Sequence, residues 1–332
     1  MDLSRRSVLA SGAGVLAVGS LAGCLDSIEA GGSDDGVDSG YGAFFTLYDW
    51  SQQVAGDAAD FENAVPAGDM GHGWEPEGDL VRDIAESDAF VYFDHPEFTW
   101  AQDIAGQLEG DYDHSVLIDG LESLDLLDWD DEHEDHDNDD EHDDEDHDDD
   151  HDDIETDPHA WLDPVLSKEI VDNITAGLSD ADPNNAETYE TNAEEYKTRL
   201  DEVDNQLQDV FTSAEGDTIV IAGHDSYAYV EERYGIEIHT PVGPSPNEEP
   251  SSNEIADTIE IVNENGIDTI LYDYFESPNL ANTIVDDSNA TAVEAMSPVE
   301  GTTDEWEEND WGWIEQMEEI NIPAFEQALG SQ

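Results

Sequence analysis

Residues 130–153 consist only of aspartate, glutamate, histidine and one asparagine, with His133, His136, His142, His147 and His151 spread through the run. Neutral imidazole is a common zinc ligand, and a carboxylate-dense strip raises the local concentration of any dication. A strip with nothing apolar to bury stays disordered and offers several weak, interchangeable sites without fixed geometry. Three further histidines have different surroundings. His72 lies in a glycine-rich loop, Pro66-Ala67-Gly68-Asp69-Met70-Gly71-His72-Gly73. His159 stands in Asp157-Pro158-His159-Ala160-Trp161-Leu162-Asp163-Pro164, and His224 follows the apolar run Ile219 to Gly223. Three neutral imidazoles suit zinc at about 2.0–2.1 Å and leave a fourth position for water or a carboxylate. Asp273, ending the run Thr269 to Tyr272, and Glu276 are the candidates for it.

The elements that must position these residues follow from patterning. Short apolar runs at Phe44 to Tyr48, Ala89 to Phe93, Ser115 to Ile118, Thr218 to Ala222, Thr269 to Tyr272 and Ala292 to Met296 alternate with helical patterns. Such runs predict parallel strands covered on both faces. Between the two groups, Tyr189, Ala193, Tyr196, Leu200, Val203, Leu207 and Val210 recur at three- and four-residue spacing, predicting one long helix over 186–211. The expected fold is α/β: two lobes, 41–185 and 212–332, each with a mainly parallel sheet flanked by helices, joined by one rigid helix. Such a connector allows only modest closure of the cleft. In open α/β sheets ligands bind beyond the carboxyl ends of strands, where all three histidines can sit.

The remaining composition restricts partners. Seven Lys and Arg against 88 Asp and Glu give a net charge of −81, which makes nucleic acid and anionic surfaces poor partners. At about 1 M salt the Debye length is about 3 Å, so this acidity reads as adaptation to molar salt. Most acidic residues are then background rather than ligands. At the start, Arg5-Arg6 followed by an apolar stretch to Ala22 has the form of a twin-arginine export signal over 1–24, too short for a membrane span. Leu21-Ala22-Gly23-Cys24 has the form of a lipobox, with Cys24, the sole cysteine, as the lipidated residue. Residues 25–40 then read as a flexible tether. His95, His114 and His239 are expected to be structural or exposed, and Trp306, Trp311 and Trp313 to pack the last helix. No HExxH, GxSxG or Walker-type pattern is present.

The phrases around His72, His159 and His224, the Glu249-Pro250-Ser251 turn, Ser277-Pro278, and the histidine-rich insertion before Asp157 resemble the zinc-uptake substrate-binding proteins of ABC transporters. This is the cluster A-I, or zinc and manganese, solute-binding family, and the likeness runs from about Phe44 to Leu329. It implies a monomeric, non-enzymatic receptor, lipid-anchored outside the cell membrane, that passes Zn2+ to a permease driven by a separate ATPase. It also implies metal in the cleft on His72, His159 and His224, completed by water, Glu276 or Asp273. Manganese members usually carry glutamate as third ligand; a third imidazole favours zinc. Alternatives are a manganese-type receptor or adhesin, and a secreted zinc hydrolase with Glu276 as base. Because ligating imidazoles must be neutral, metal affinity is expected to fall below pH of about 6.5.

Overall fold

The computed structural model describes residues 36–76, 78–111, 115–128, 156–243 and 249–330. The signal, Cys24, the acidic loop with its five histidines, and His114 lie outside the described residues.

The first lobe begins earlier than Tyr41. Val37 is buried and strand β1 is Ser39–Gly42, so the end of the expected tether belongs to the fold. β1 escapes hydrophobic patterning because it must be small. A Cβ on Gly40 would lie 2.3 Å from the Phe61 ring, and one on Gly42 only 2.2 Å from the Tyr48 amide nitrogen. The predicted strand Phe44 to Tyr48 is instead the start of helix α1, Phe45–Ala55, which folds back directly over β1. Its apolar residues Phe45, Leu47, Trp50 and Val54 are buried, a helical rather than an alternating set. Strands β2 (Asp60–Asn63), β3 (Ala89–Tyr92) and β4 (Val116–Asp119), with β1, make an all-parallel sheet in the order β2-β1-β3-β4. Helices α2 (Gly78–Glu86) and α3 (Thr99–Asp111) provide the crossovers, and α4 (Pro164–Ala181) packs on β4.

Helix α5, Ala186–Ser213, has 28 residues, about 42 Å at 1.5 Å per residue. Every residue of its predicted apolar stripe is buried. It lies against α1 and α4 of the first lobe, and at its far end Phe211 stacks on Tyr234 and packs on Phe325 of the second.

The second lobe holds two parallel pairs, β5 (Thr218–Val220) with β6 (Glu237–His239), and β7 (Thr269–Asp273) with β8 (Ala292–Met296). A parallel bridge from Ile221 to Leu271 connects them. Helices α6 (Ala228–Tyr234), α7 (Ser252–Asn265) and α8 (Asn279–Asp287) intervene. Helix α7 carries a capping box from Ser251 and Glu254 and ends at Gly266 with φ of 66°, the left-handed terminus that glycine favours. The expected two-lobed α/β fold with parallel sheets is thus present.

After β8 the chain does not stay in the second lobe. Helices α9 (Asp304–Glu308) and α10 (Trp313–Gln316) precede a π-turn at Met317–Asn321 and α11 (Ile322–Leu329). Trp313 packs on Trp50 of α1 at 6.0 Å and donates its backbone N–H to Asp49, while its indole donates to the Trp161 carbonyl. Trp306 packs on Tyr274 and Trp311. These tryptophans therefore join the lobes to this return segment rather than packing the last helix. Both lobes lie in one unit, Gly36–Gln332, and no described helix is long and apolar enough to cross a membrane.

Candidate metal centre

The three histidines predicted from their settings converge. Ring centres are 5.1 Å apart for His72 and His159, 5.4 Å for His159 and His224, and 5.8 Å for His72 and His224. Tetrahedral zinc at about 2.0–2.1 Å from each nitrogen would set ring centres about 5 Å apart. Each ring arrives from a different element. His72 comes from the β2–α2 loop, His159 from the 3₁₀ turn His159–Leu162 before α4, and His224 from the loop after β5. Asp163 caps α4 through the Val165 N–H, with Pro164 at its first position, and this ends the turn carrying His159.

In each ring the Nδ1 faces a carboxylate and the Nε2 is buried. His72 Nδ1 lies 2.7 Å from Glu300 Oε2, and the His72 backbone N–H donates to Glu300 Oε1 at 2.6 Å. Asp157 repeats the pattern: its Oδ1 accepts from the His159 backbone at 2.8 Å and lies 2.7 Å from His159 Nδ1. His224 Nδ1 is 3.6 Å from Glu276 Oε1. A carboxylate on Nδ1 fixes the tautomer that leaves Nε2 as the ligand atom. Sequence reasoning did not single out Glu300. The only available signal was its placement just after β8, hidden in the acidic background.

The donor set fits a zinc ion, and the two buried carboxylates match its charge. Among the described residues, no group of three or more His, Cys, Asp or Glu is already closed on a single ion position. His72 and His159 lie stacked with 13° between their planes. The wall behind them is aromatic: Phe98 is 4.7 Å from the His72 ring, Trp161 is 4.9 Å from His159, and Phe44 stacks on Phe98.

Burial and these neighbours set the charges. Burial pulls the His72 imidazole down, but the Glu300 carboxylate outweighs it and leaves His72 above its ordinary value. Burial would raise Glu300, yet His72 holds it below the usual range. Burial, then the neighbouring His72 and His224, push His159 well below an ordinary histidine. Burial lifts Asp157 to about 7 against the opposing hydrogen bond from the His159 backbone.

The two carboxylates expected to complete the shell differ. Glu276 lies beside His224 and is 28% exposed. Asp273 accepts the Phe275 N–H at 2.8 Å while its carbonyl accepts the Glu276 N–H, so it builds the turn that presents Glu276. Burial pushes Asp273 well above the usual carboxylate range. His95 and His239 lie elsewhere: His95 bonds to Thr156 and caps a short turn, and His239 bonds to Thr258.

Known proteins share this architecture. The chain is 29% identical over 314 residues to the high-affinity zinc uptake system protein ZnuA of Bacillus subtilis, covering 93% of each. It is 30% identical over 289 residues to the zinc-binding lipoprotein AdcA of Streptococcus pneumoniae, covering 87% of this chain and 55% of that protein. The crystal structure of the Zn(II)-bound ZnuA-like domain of S. pneumoniae AdcA superposes with a TM-score of 0.70 at 28% identity, over 89% of this chain and 99% of that one. Residues 42–328 match the family described as zinc-uptake complex component A, periplasmic, and the chain belongs to that family.

Proposed function

We propose that this chain is the extracytoplasmic receptor of a zinc-uptake system, which captures Zn2+ between its lobes and passes it to a membrane permease driven by a separate ATPase. The observation that carries this reading is the convergence of three imidazoles from three elements, each with Nδ1 against a carboxylate and Nε2 buried. In this reading His72, His159 and His224 bind zinc through Nε2, and Glu276 or water takes the fourth position. Asp273 acts through the turn that holds Glu276. Three imidazoles favour zinc over manganese, which prefers oxygen ligands. No step alters the ligand, so the residues serve binding and release rather than catalysis. Cys24 would carry the lipid anchor, and the strip bearing His133, His136, His142, His147 and His151 would gather metal without supplying the tight site.

The test is metal content after refolding the domain, without residues 130–153, in molar salt with zinc, manganese, copper and nickel offered together. One tightly held zinc, lost in His72→Ala, His159→Ala and His224→Ala, is expected. Tight zinc that persists in all three variants, or disappears with the acidic strip alone, would refute the assignment.

A further inference from the structure

Helix α6 belongs to the second lobe, yet one of its faces is bonded to the first. Tyr229 and Arg233, one turn apart on that face, reach the two ends of the buried segment Asp157 to Asp163, which carries His159. At the first end the Tyr229 hydroxyl donates to the Asp157 carbonyl at 2.6 Å and accepts the Leu127 N–H at 2.9 Å. At the second end Arg233 Nε donates to Asp163 Oδ2, while Asp163 Oδ1 accepts the Val165 N–H at the start of α4. The chain has seven Lys and Arg in all. Lys168, Lys197 and Arg199 pair among α4, α5 and α10, whereas Arg233 pairs across the lobes. The Asp163 side chain is 2% exposed, so molar salt screens this pair less than it screens a surface pair.

Another side of α6 is fixed as well. Tyr234 stacks on Phe211 at 4.9 Å and donates its hydroxyl to Asp204 at 2.9 Å, both on the connecting helix α5. His224 lies just before α6 in the chain, separated from it by Asp225-Ser226-Tyr227, and its ring centre is 5.4 Å from that of His159. The helix that follows one histidine therefore grips both ends of the segment bearing the other. We propose that Tyr229 and Arg233 are positioning residues for metal capture: together they clamp the His159 segment onto the second lobe and set its ring at the spacing from His224 that one ion requires. This rests on the reading of His159 and His224 as ligands, and it adds the parts that hold the two in register across the cleft. Parting of the lobes must break both bonds, so the clamp also slows metal release.

Tyr229→Phe removes one hydroxyl, and Arg233→Met removes the guanidinium while keeping an apolar stem. Each should weaken zinc about tenfold, the low end of the scale for partners outside the ligand shell, mainly through faster release. Each should also shift the visible spectrum of the cobalt(II)-loaded protein. Arg233→Lys, which still offers a cation to Asp163 but not the planar fork, should recover part of the loss. Arg199→Met is the control. It breaks the pair with Glu315 between α5 and α10, and should leave zinc affinity, release and the cobalt spectrum as in the parent even where it lowers the melting temperature. Chelator competition and chelator-chased release in molar salt give the affinities and rates, with His159→Ala alongside; Tyr229→Phe carries the test if Arg233→Met fails to fold. Parent-like release and cobalt spectra in the clamp variants, or zinc losses equalled by Arg199→Met, would overturn the clamp while His159→Ala still loses zinc. Tight zinc retained in His159→Ala would instead remove the reading beneath it.

Discussion

Zinc binding should expel protons from His72 and from Asp157. His72 is held above its ordinary value by Glu300, and Asp157 is lifted to about 7, so near pH 6 the metal-free site carries a proton on each. Both must leave. An imidazolium cannot bind metal, and a protonated Asp157 would donate to His159 Nδ1 and place the His159 proton on Nε2. His159 itself, pushed well below an ordinary histidine, has no proton to give at this pH, and Glu300 stays ionised throughout. Each displaced proton makes affinity change tenfold per pH unit, about 1.4 kcal/mol. Two displaced protons make it about a hundredfold, about 2.7 kcal/mol, while pH lies below both values. The sign follows directly: affinity rises with pH and levels off once both protons have gone. Because His72 is raised, the decline on acidification starts above the ordinary imidazole value of about 6.5. Titration calorimetry at pH 6 in molar salt, in two buffers of different ionisation enthalpy, counts the protons directly. At least two are expected, and one fewer in Asp157→Asn than in the parent, since the amide cannot hold an exchangeable proton in that range. A count near zero, or one unchanged in Asp157→Asn, would refute the assignment of charges.

Two further outcomes follow from packing and from charge. Trp161→Phe keeps the aromatic wall beside His159 but leaves the Pro298 carbonyl without its donor and opens a void. It should cost about 1–3 kcal/mol of stability in chemical denaturation, with less than tenfold change in zinc affinity; a larger zinc effect would mean that the indole positions the site itself. With a net charge of −81, the thermal midpoint should rise steeply as KCl goes from about 0.1 M to about 1 M and the Debye length shrinks from about 10 Å to about 3 Å. A midpoint indifferent to KCl would mean that the surface carboxylates are not mutually destabilising.

Much of the architecture was legible because it rests on apolar periodicity. The stripe from Tyr189 to Val210 predicted the connecting helix, and β8 has the predicted bounds, Ala292–Met296. Elements that depend on close approach or on a sheet edge were not legible. β1, of sequence Ser-Gly-Tyr-Gly, has glycine where Phe61 and α1 leave no room for a side chain, and the aromatic residues that suggested a strand there start α1. β2 and β6 are short and acidic, with only Phe61 and Ile238 to mark them. The site divides in the same way. His72, His159 and His224 stood out by type and setting, whereas Glu300 lies 228 positions from the histidine it holds, and nothing in its own neighbourhood distinguishes it from the other acids.

Burial, which sequence does not report, is what distinguishes those acids. Of the 88 acidic residues, the buried ones among the described residues are Asp49, Asp157, Asp163, Asp182, Asp273 and Glu300. Each accepts named donors. Asp49 takes the Trp313 N–H and the Tyr196 hydroxyl, Asp163 a helix start and Arg233, Asp182 Asn185 and Tyr189, and Asp273 the Phe275 N–H. Only Asp157 and Glu300 direct theirs to imidazoles, and each also takes the backbone N–H of the same histidine. In molar salt the exposed carboxylates are screened beyond about 3 Å, but a pair shut away from the ions is screened much less. A chain of this charge placed in molar salt can therefore carry acid over its surface and still set the charge around its candidate site with two carboxylates, provided that both are closed off from the solvent.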